Sequence, residues 1–227
     1  MRGMPDTTSL RCGWPVHEGQ EMSISTYTEL KAAIADWLLR DDLTAVIPTF
    51  ISLAEADINR RVRHWRMEKR ADTELDSQYS ALPADFISPI RLSITSSKFA
   101  ELEPVGQAEM LSLRGGSNNS SGTPQYYAIT SGEIEVYPSP AGTLTLEMAY
   151  YGRIDALGDA SADNWLLTHS PDVYLYGALL RTAPYLKDDE RIGIWKGLYE
   201  EAIAGLVLET DKAKFGGSGL RLKIRSY

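Results

Sequence analysis

Apolar side chains recur at helical spacing near both ends of the chain and at strand spacing between them. Tyr27, Leu30, Ile34, Trp37 and Leu38 form one helical stripe that stops at the polar residues 40–42. Thr26 followed by Glu29 has the form of a capping box, so the stripe predicts an amphipathic helix of about four turns. After the short DDLT connection, Pro48 stands where a first helical turn tolerates it. Ile47, Ile51, Ala54, Ile58, Val62 and Trp65 mark a second, longer helix. A connection this short implies that the two helices pack antiparallel.

From about Ala71 the pattern changes to short alternating or β-rich runs at 87–95, 125–130, 133–137 and 143–151, separated by Gly, Pro, Ser and Asn. They predict strands of a small antiparallel sheet. The stretch Arg114, Gly115, Gly116, Ser117, Asn118, Asn119 and onward to 123 offers no apolar surface to offset its ordering entropy, and predicts a flexible, exposed loop. Helical spacing returns at Ser170 and Pro171, an N-cap and first-turn pair with Asp172 behind it, and continues through Val173, Leu175, Tyr176, Leu179 and Leu180 to Pro184. A last long helix starts at Asp188 and carries Ile192, Trp195, Tyr199, Ala202 and Leu206 up to the KFGGSG breaker. Beyond it, GGSGLRLKIRSY alternates Leu220, Leu222 and Ile224 with Arg221, Lys223 and Arg225 and ends on Ser226 and Tyr227, the pattern of a strand without a partner.

The fold class expected is α+β, a helical bundle of N- and C-terminal α-hairpins with an inserted small antiparallel β lobe. The segments are an N-terminal arm or mis-called start at 1–21 with Met22 as the alternative initiator, a hairpin at 22–70, the lobe at 71–155, a second hairpin at 156–215 and a tail at 216–227. Trp37, Trp65, Trp165 and Trp195 read as core or interface anchors.

Composition narrows the function. No apolar run reaches the roughly 18 residues a bilayer requires, and residues 1–21 have no apolar segment or cleavage site of a signal peptide. The sole cysteine, Cys12, lies in that arm, so no internal disulfide can form, and synthesis in a reducing cytoplasm follows. A net charge of −8 opposes wrapping of duplex phosphates; DNA passing nearby would be repelled rather than gripped.

Four stretches together resemble a known family: YTELKAAIADWLLRDDLTAVIPTFISLAEADINRRVR, LPADF, PQYYAITSGEIEVYPSP and NWLLTHSPDVYLYGALLRTAPYLKDDERIGIWKGLYEEAI. In this order they resemble the head-to-tail adaptors of tailed bacteriophages, the head-completion or tail-accessory proteins. The resemblance implies a structural, non-enzymatic subunit of the virion neck, synthesised in the host bacterium. It implies a ring of about twelve copies beneath the portal protein, contacting a downstream tail or nozzle protein, with genomic DNA passing non-specifically through the lumen. No cofactor and no membrane contact are implied.

The candidate sites are surfaces. Arg60, Arg61, Arg63, Arg66, Lys69 and Arg70 cluster at the end of the second helix, where cations offset the partial negative charge of terminal carbonyls. The sharper reading is a subunit interface, because a closed heterologous ring needs complementary patches. Asp188, Asp189 and Glu190, or Glu200 and Glu201, are the possible mates on a neighbouring copy. Leu220, Arg221, Leu222, Lys223, Ile224, Arg225 and Tyr227 suit strand addition to a sheet edge on the portal, with a frayed terminus as the alternative. The 114–123 loop either faces the tail or the lumen, or is solvated without a role.

His17, His64 and His169 share no spacing with Cys, Asp or Glu that a zinc or iron site would need. RGGSNNSSG lacks the Lys–Ser/Thr pair of a phosphate loop, and no Gly-x-Ser-x-Gly elbow is present. A tail-associated cell-wall hydrolase and a nucleic-acid-binding regulator remain as alternatives.

Overall fold

The expected capping box closes at the start of the first helix. Thr26 Oγ1 accepts from the Glu29 amide, while the Glu29 carboxylate accepts from the amides of Ser25 and Thr26. Helix α1 (Tyr27–Leu38) then turns its apolar stripe inward and stops at Leu39, which adopts the left-handed conformation with φ 54°. The computed structural model describes residues 24–96, 100–115, 120–186 and 190–216.

Helix α2 (Ile47–Arg61) ends one turn before its apolar stripe does. Val62 is extended, and Trp65 lies in a single 3-10 turn, Trp65–Met67. The Arg63 guanidinium donates to the carbonyls of Asn59 (2.8 Å) and Val62 (2.7 Å), supplying the partners that another helical turn would have provided.

The strands follow: β1 (Glu68–Leu75), β2 (Tyr79–Ala81), β3 (Phe86–Ile94), β4 (Ala100–Glu101) and β5 (Glu103–Pro104). After helix α3 (Gln107–Gly115) come β6 (Ser121–Gly122), β7 (Tyr126–Thr130), β8 (Glu133–Tyr137), β9 (Ser139–Pro140) and β10 (Leu144–Gly152). The four predicted runs are β3, β7, β8 and β10, each within a residue or so of its expected bounds.

Their pairing is more divided than one antiparallel sheet. One sheet runs β1-β10-β3-β4, a second runs β2-β8-β7-β5, and β6 pairs with β9. The β5–β7 and β6–β9 pairs are parallel. Alternation says that a strand has one buried face but not which strand lies beside it. Leu92, Ile94, Leu146, Met148 and Tyr150 from the first sheet and Tyr127, Ile134 and Val136 from the second share one buried cluster.

Helices α4 (Trp165–His169), α5 (Pro171–Arg181) and α6 (Arg191–Phe215) complete the chain. Together with α1 and α2 they bury a second apolar cluster. Helix α5 lies at its centre and packs on α1, α2, α4 and α6. Close approach there depends on Gly177: a Cβ at that position would stand 3.0 Å from the Tyr199 ring and 3.2 Å from Ala54. Helix α6 buries only Trp195, Tyr199, Ile203, Leu206 and Thr210, a single stripe along 25 residues. Of the tryptophans, Trp195 is core, whereas Trp37 and Trp65 are each about two-fifths exposed.

The segment between β10 and α5 is tied to the helices by hydrogen bonds. Asn59 Oδ1 accepts from the Ile154 amide (3.0 Å), and Glu55 Oε1 accepts from the Leu157 amide (2.8 Å) and the Tyr174 hydroxyl (3.3 Å). Asn164 caps α4 by accepting from the Leu167 amide, and its Nδ2 donates to the Asp155 carbonyl (2.7 Å) and the Tyr174 oxygen (2.8 Å). Burial raises the pKa of Tyr174 far above its ordinary value, and the neighbouring Glu55 charge adds to the effect, so the phenol stays a donor.

Replacing Gly177 by Val overpacks the α2–α5–α6 junction and is expected to cost about 1–3 kcal/mol. Urea denaturation followed by circular dichroism measures this as a lower midpoint with an unchanged slope.

Candidate functional site

The basic residues at 60–70 do not form one patch. The turn from α2 into β1 distributes them to three directions, because the helix ends at Arg61 and the residues after it follow an extended path broken by the 3-10 turn. His64 initiates that turn, its Nδ1 accepting from the Arg66 amide (3.2 Å).

Arg61 points back to the helical core. It grips both oxygens of Glu200 on α6, stands 3.6 Å from Asp57 and lies over the Tyr199 ring at 5.5 Å. The Arg61 hydrogen bond lowers the Glu200 pKa, and Glu200 raises that of Arg61. Asp57 also receives Arg181 (2.8 Å), Arg60 (3.5 Å) and the Tyr199 hydroxyl (3.0 Å). Glu200, a possible mate for an arginine of a neighbouring copy, is thus paired within its own chain.

Arg60 and Arg63 line an open groove of about 510 Å³ with Asn59, Phe86, Ile87 and Arg153. Arg153 carries no signal in the sequence: no spacing connects it with Arg60, and it reaches the groove where the chain leaves β10. The Arg60 side chain is about three-quarters exposed, and Arg153 forms no ion pair among the described residues.

Arg66 faces a second groove of about 700 Å³, where it lies 5.1 Å from the Trp65 ring and 6.0 Å from the Trp165 ring. Ile90 and Ala149 form its apolar floor. Lys69 and Arg70 border it but are paired, Lys69 with Asp85 (2.7 Å) and Arg70 with Glu147 (2.7 Å), which also holds Arg91. These arginines, Arg70 first, hold the Glu147 carboxyl below its ordinary pKa.

A third groove of about 370 Å³ between α5 and α6 is acidic. Asp172, Glu201 and Glu209 surround Tyr176 and Leu206 there. Glu201 is one of the expected acidic mates, whereas the sequence marks Asp172 only as a helix-start charge. Glu190 is the residue preceding α6 and makes no side-chain cap bond. Asp188 and Asp189 lie outside the described residues, as do Gly116, Ser117, Asn118 and Asn119 and the whole of Leu220, Arg221, Leu222, Lys223, Ile224, Arg225 and Tyr227.

Arg114 and Gly115, placed by composition in the flexible loop, are the last residues of α3. Arg114 pairs with the buried Glu135 (2.6 Å) and lies over the Tyr79 ring, so it joins α3 to the second sheet.

One histidine pair converges that spacing did not reveal. His64 is fully buried, stacks on Trp165 at 4.9 Å and has Nε2 3.8 Å from Glu209, which also pairs with His169 (2.9 Å). Among the described residues no group of His, Cys, Asp and Glu is arranged to hold a metal ion, and no helix is long and apolar enough to cross a membrane.

Burial holds the His64 imidazole below its ordinary pKa, with Arg66 and His169 acting in the same direction against Glu209. The unfolded chain therefore binds this proton more readily than the folded one. Its contribution to stability is full above about pH 6.5 and is lost as the pH falls below that value. Urea titrations between about pH 7 and pH 5 should show a steeper loss for the wild-type chain than for His64→Asn, whose amide oxygen can still accept from Arg66; parallel losses would exclude His64 as the linked group.

The family model of the SU10 adaptor protein matches residues 25–221, a span that includes every helix and strand described. Among characterised proteins, none matches the chain. With the match extending from α1 past the end of α6, the chain belongs to the SU10 adaptor protein family.

Proposed function

We infer that this chain is the structural head-to-tail adaptor subunit of a tailed-phage virion, acting by binding rather than by catalysis. The observation that carries this reading is the family match over 25–221. About twelve copies form a ring beneath the portal, join it to a tail or nozzle protein and let genomic DNA through the lumen without sequence-specific contact. In this reading the N- and C-terminal helical hairpins make the bundle, residues of about 71–155 make the inserted lobe, and the tail from Leu220 to Tyr227 docks on the portal.

The grooves support a ring contact. One carries Arg60, Arg63 and Arg153, and another carries Asp172, Glu201 and Glu209. No residue lines both, so each copy can offer its cationic groove to one neighbour and its acidic groove to the other, the heterologous arrangement that closes a ring. Such contacts confer orientation and suppress wrong partners more than they add affinity.

Two variants separate the outward arginines from the inward one. Arg60→Glu with Arg153→Glu should weaken ring assembly, more so at low salt, with monomer stability changed by less than about 0.5 kcal/mol. Arg61→Glu should instead destabilise the monomer, because Asp57 and Glu200 would then face a third carboxylate. Light scattering and thermal melts read the two effects. Electron microscopy of the protein mixed with the portal from the same genome tests the whole reading: rings seated on the portal are expected, and a chain that stays unattached overturns it.

A further inference from the structure

Strand β1 is the outer strand of its sheet. β10 pairs with one side of it along all eight residues, and no described strand pairs with the other. Alternate N–H and C=O groups of β1 therefore face away from the sheet, a template for one more strand.

The side chains along this edge are patterned with a period of two. Asp72 and Glu74 project from one face, and Asp76 follows at the same interval; all three are exposed and form no ion pair among the described residues. The other charges of that face are already satisfied, Arg70 by Glu147 and Glu68 by Lys214. Ala71, Thr73 and Leu75 project from the opposite face, half-buried or buried, toward the cluster between the sheets.

The chain carries the complement. Leu220, Leu222 and Ile224 alternate with Arg221, Lys223 and Arg225. The described chain ends at Gly216 after α6, and two residues earlier Lys214 pairs with Glu68, the first residue of β1, and donates to the Tyr151 hydroxyl (2.9 Å). The Gly-Gly-Ser-Gly of residues 216–219 spans at most about 13 Å when extended. That length carries the chain from the end of α6 to the first half of β1, travelling toward Leu75.

We propose that the free edge of β1 binds residues 220–225 of its own chain as an added parallel strand. Leu220, Leu222 and Ile224 lie beside Ala71, Thr73 and Leu75, and Arg221, Lys223 and Arg225 lie beside Asp72, Glu74 and Asp76. A slip by one residue sets the cations against the apolar face, so the register is fixed by both patterns at once. This contact is independent of the portal reading, since it forms in the isolated subunit. If the same tail also docks on the portal, the two bindings exclude one another, and the tail is held on its own sheet until a portal edge competes for it.

The test is hydrogen exchange of the full chain with mass-spectrometric readout. Residues 220–225 should exchange about tenfold or more slowly than an unstructured peptide of that sequence, and the protection should disappear in Asp72→Lys/Glu74→Lys. Adding Arg221→Glu/Lys223→Glu to that variant should restore it, which loss of folding would not allow. In a Cys12→Ser background, Thr73→Cys with Leu222→Cys should be joined within one chain by a short bifunctional thiol reagent. Exchange of 220–225 at the unstructured rate overturns the proposal, as does protection indifferent to these charges, and a link found only between two chains assigns the edge to a second copy instead.

Discussion

The polar cluster of Glu55, Asn59, Asn164 and Tyr174 is the constraint on which the rest of the arrangement depends. A half-buried carboxylate and a buried phenol cannot be left without partners, because a desolvated polar group that lacks its hydrogen bond costs about 1–3 kcal/mol. The Leu157 amide donates to the carboxylate and the Asn164 side chain to the phenol oxygen, while the Ile154 amide donates to Asn59; all three donors lie in the segment that leaves the first sheet. Satisfying them sets where β10 delivers the chain and where α4 and α5 begin. Arg153 is carried to the Arg60–Arg63 groove by the same fixation, since its neighbour Ile154 donates to Asn59 one turn from Arg63.

Charge is allotted between internal and external work in this acidic chain. Arg61, Lys69, Arg70, Arg114 and Arg181 are paired with carboxylates and join elements distant in sequence. Most of these pairs are solvent-facing, where an ion pair contributes little to stability, so they act mainly to set position. Among the described residues Arg66 and Arg153 form no ion pair and Arg60 reaches only Asp57, at 3.5 Å; the three line the two grooves on either side of the α2–β1 turn. In a chain of net charge −8 these guanidinium groups are local positive sites on an otherwise acidic protein.

Helices α1, α2, α5 and α6 were legible in the sequence because each has one apolar stripe and a chemical start or stop: the Thr26–Glu29 box, Pro48, Pro171, and the glycines after α6. The strands β3, β7, β8 and β10 were legible as short β-rich runs bounded by turn residues; β10 alternates between a buried and an outer face, whereas β3, β7 and β8 bury consecutive residues. Strand β1 was hidden because EKRADTEL carries charge on both faces, and an edge strand can do so when only one side is covered. Helix α3 was hidden because it buries a single residue, Met110. Which carboxylate each arginine meets was not written in the spacing at all. Arg61 and Glu200 are 139 residues apart, and His64 and Glu209 likewise meet only in three dimensions. Local periodicity and capping are properties of a few adjacent residues, so the sequence determined the elements; strand partners, the division of the basic cluster and the grooves depend on contacts between segments far apart in the chain, so only the tertiary structure decided them.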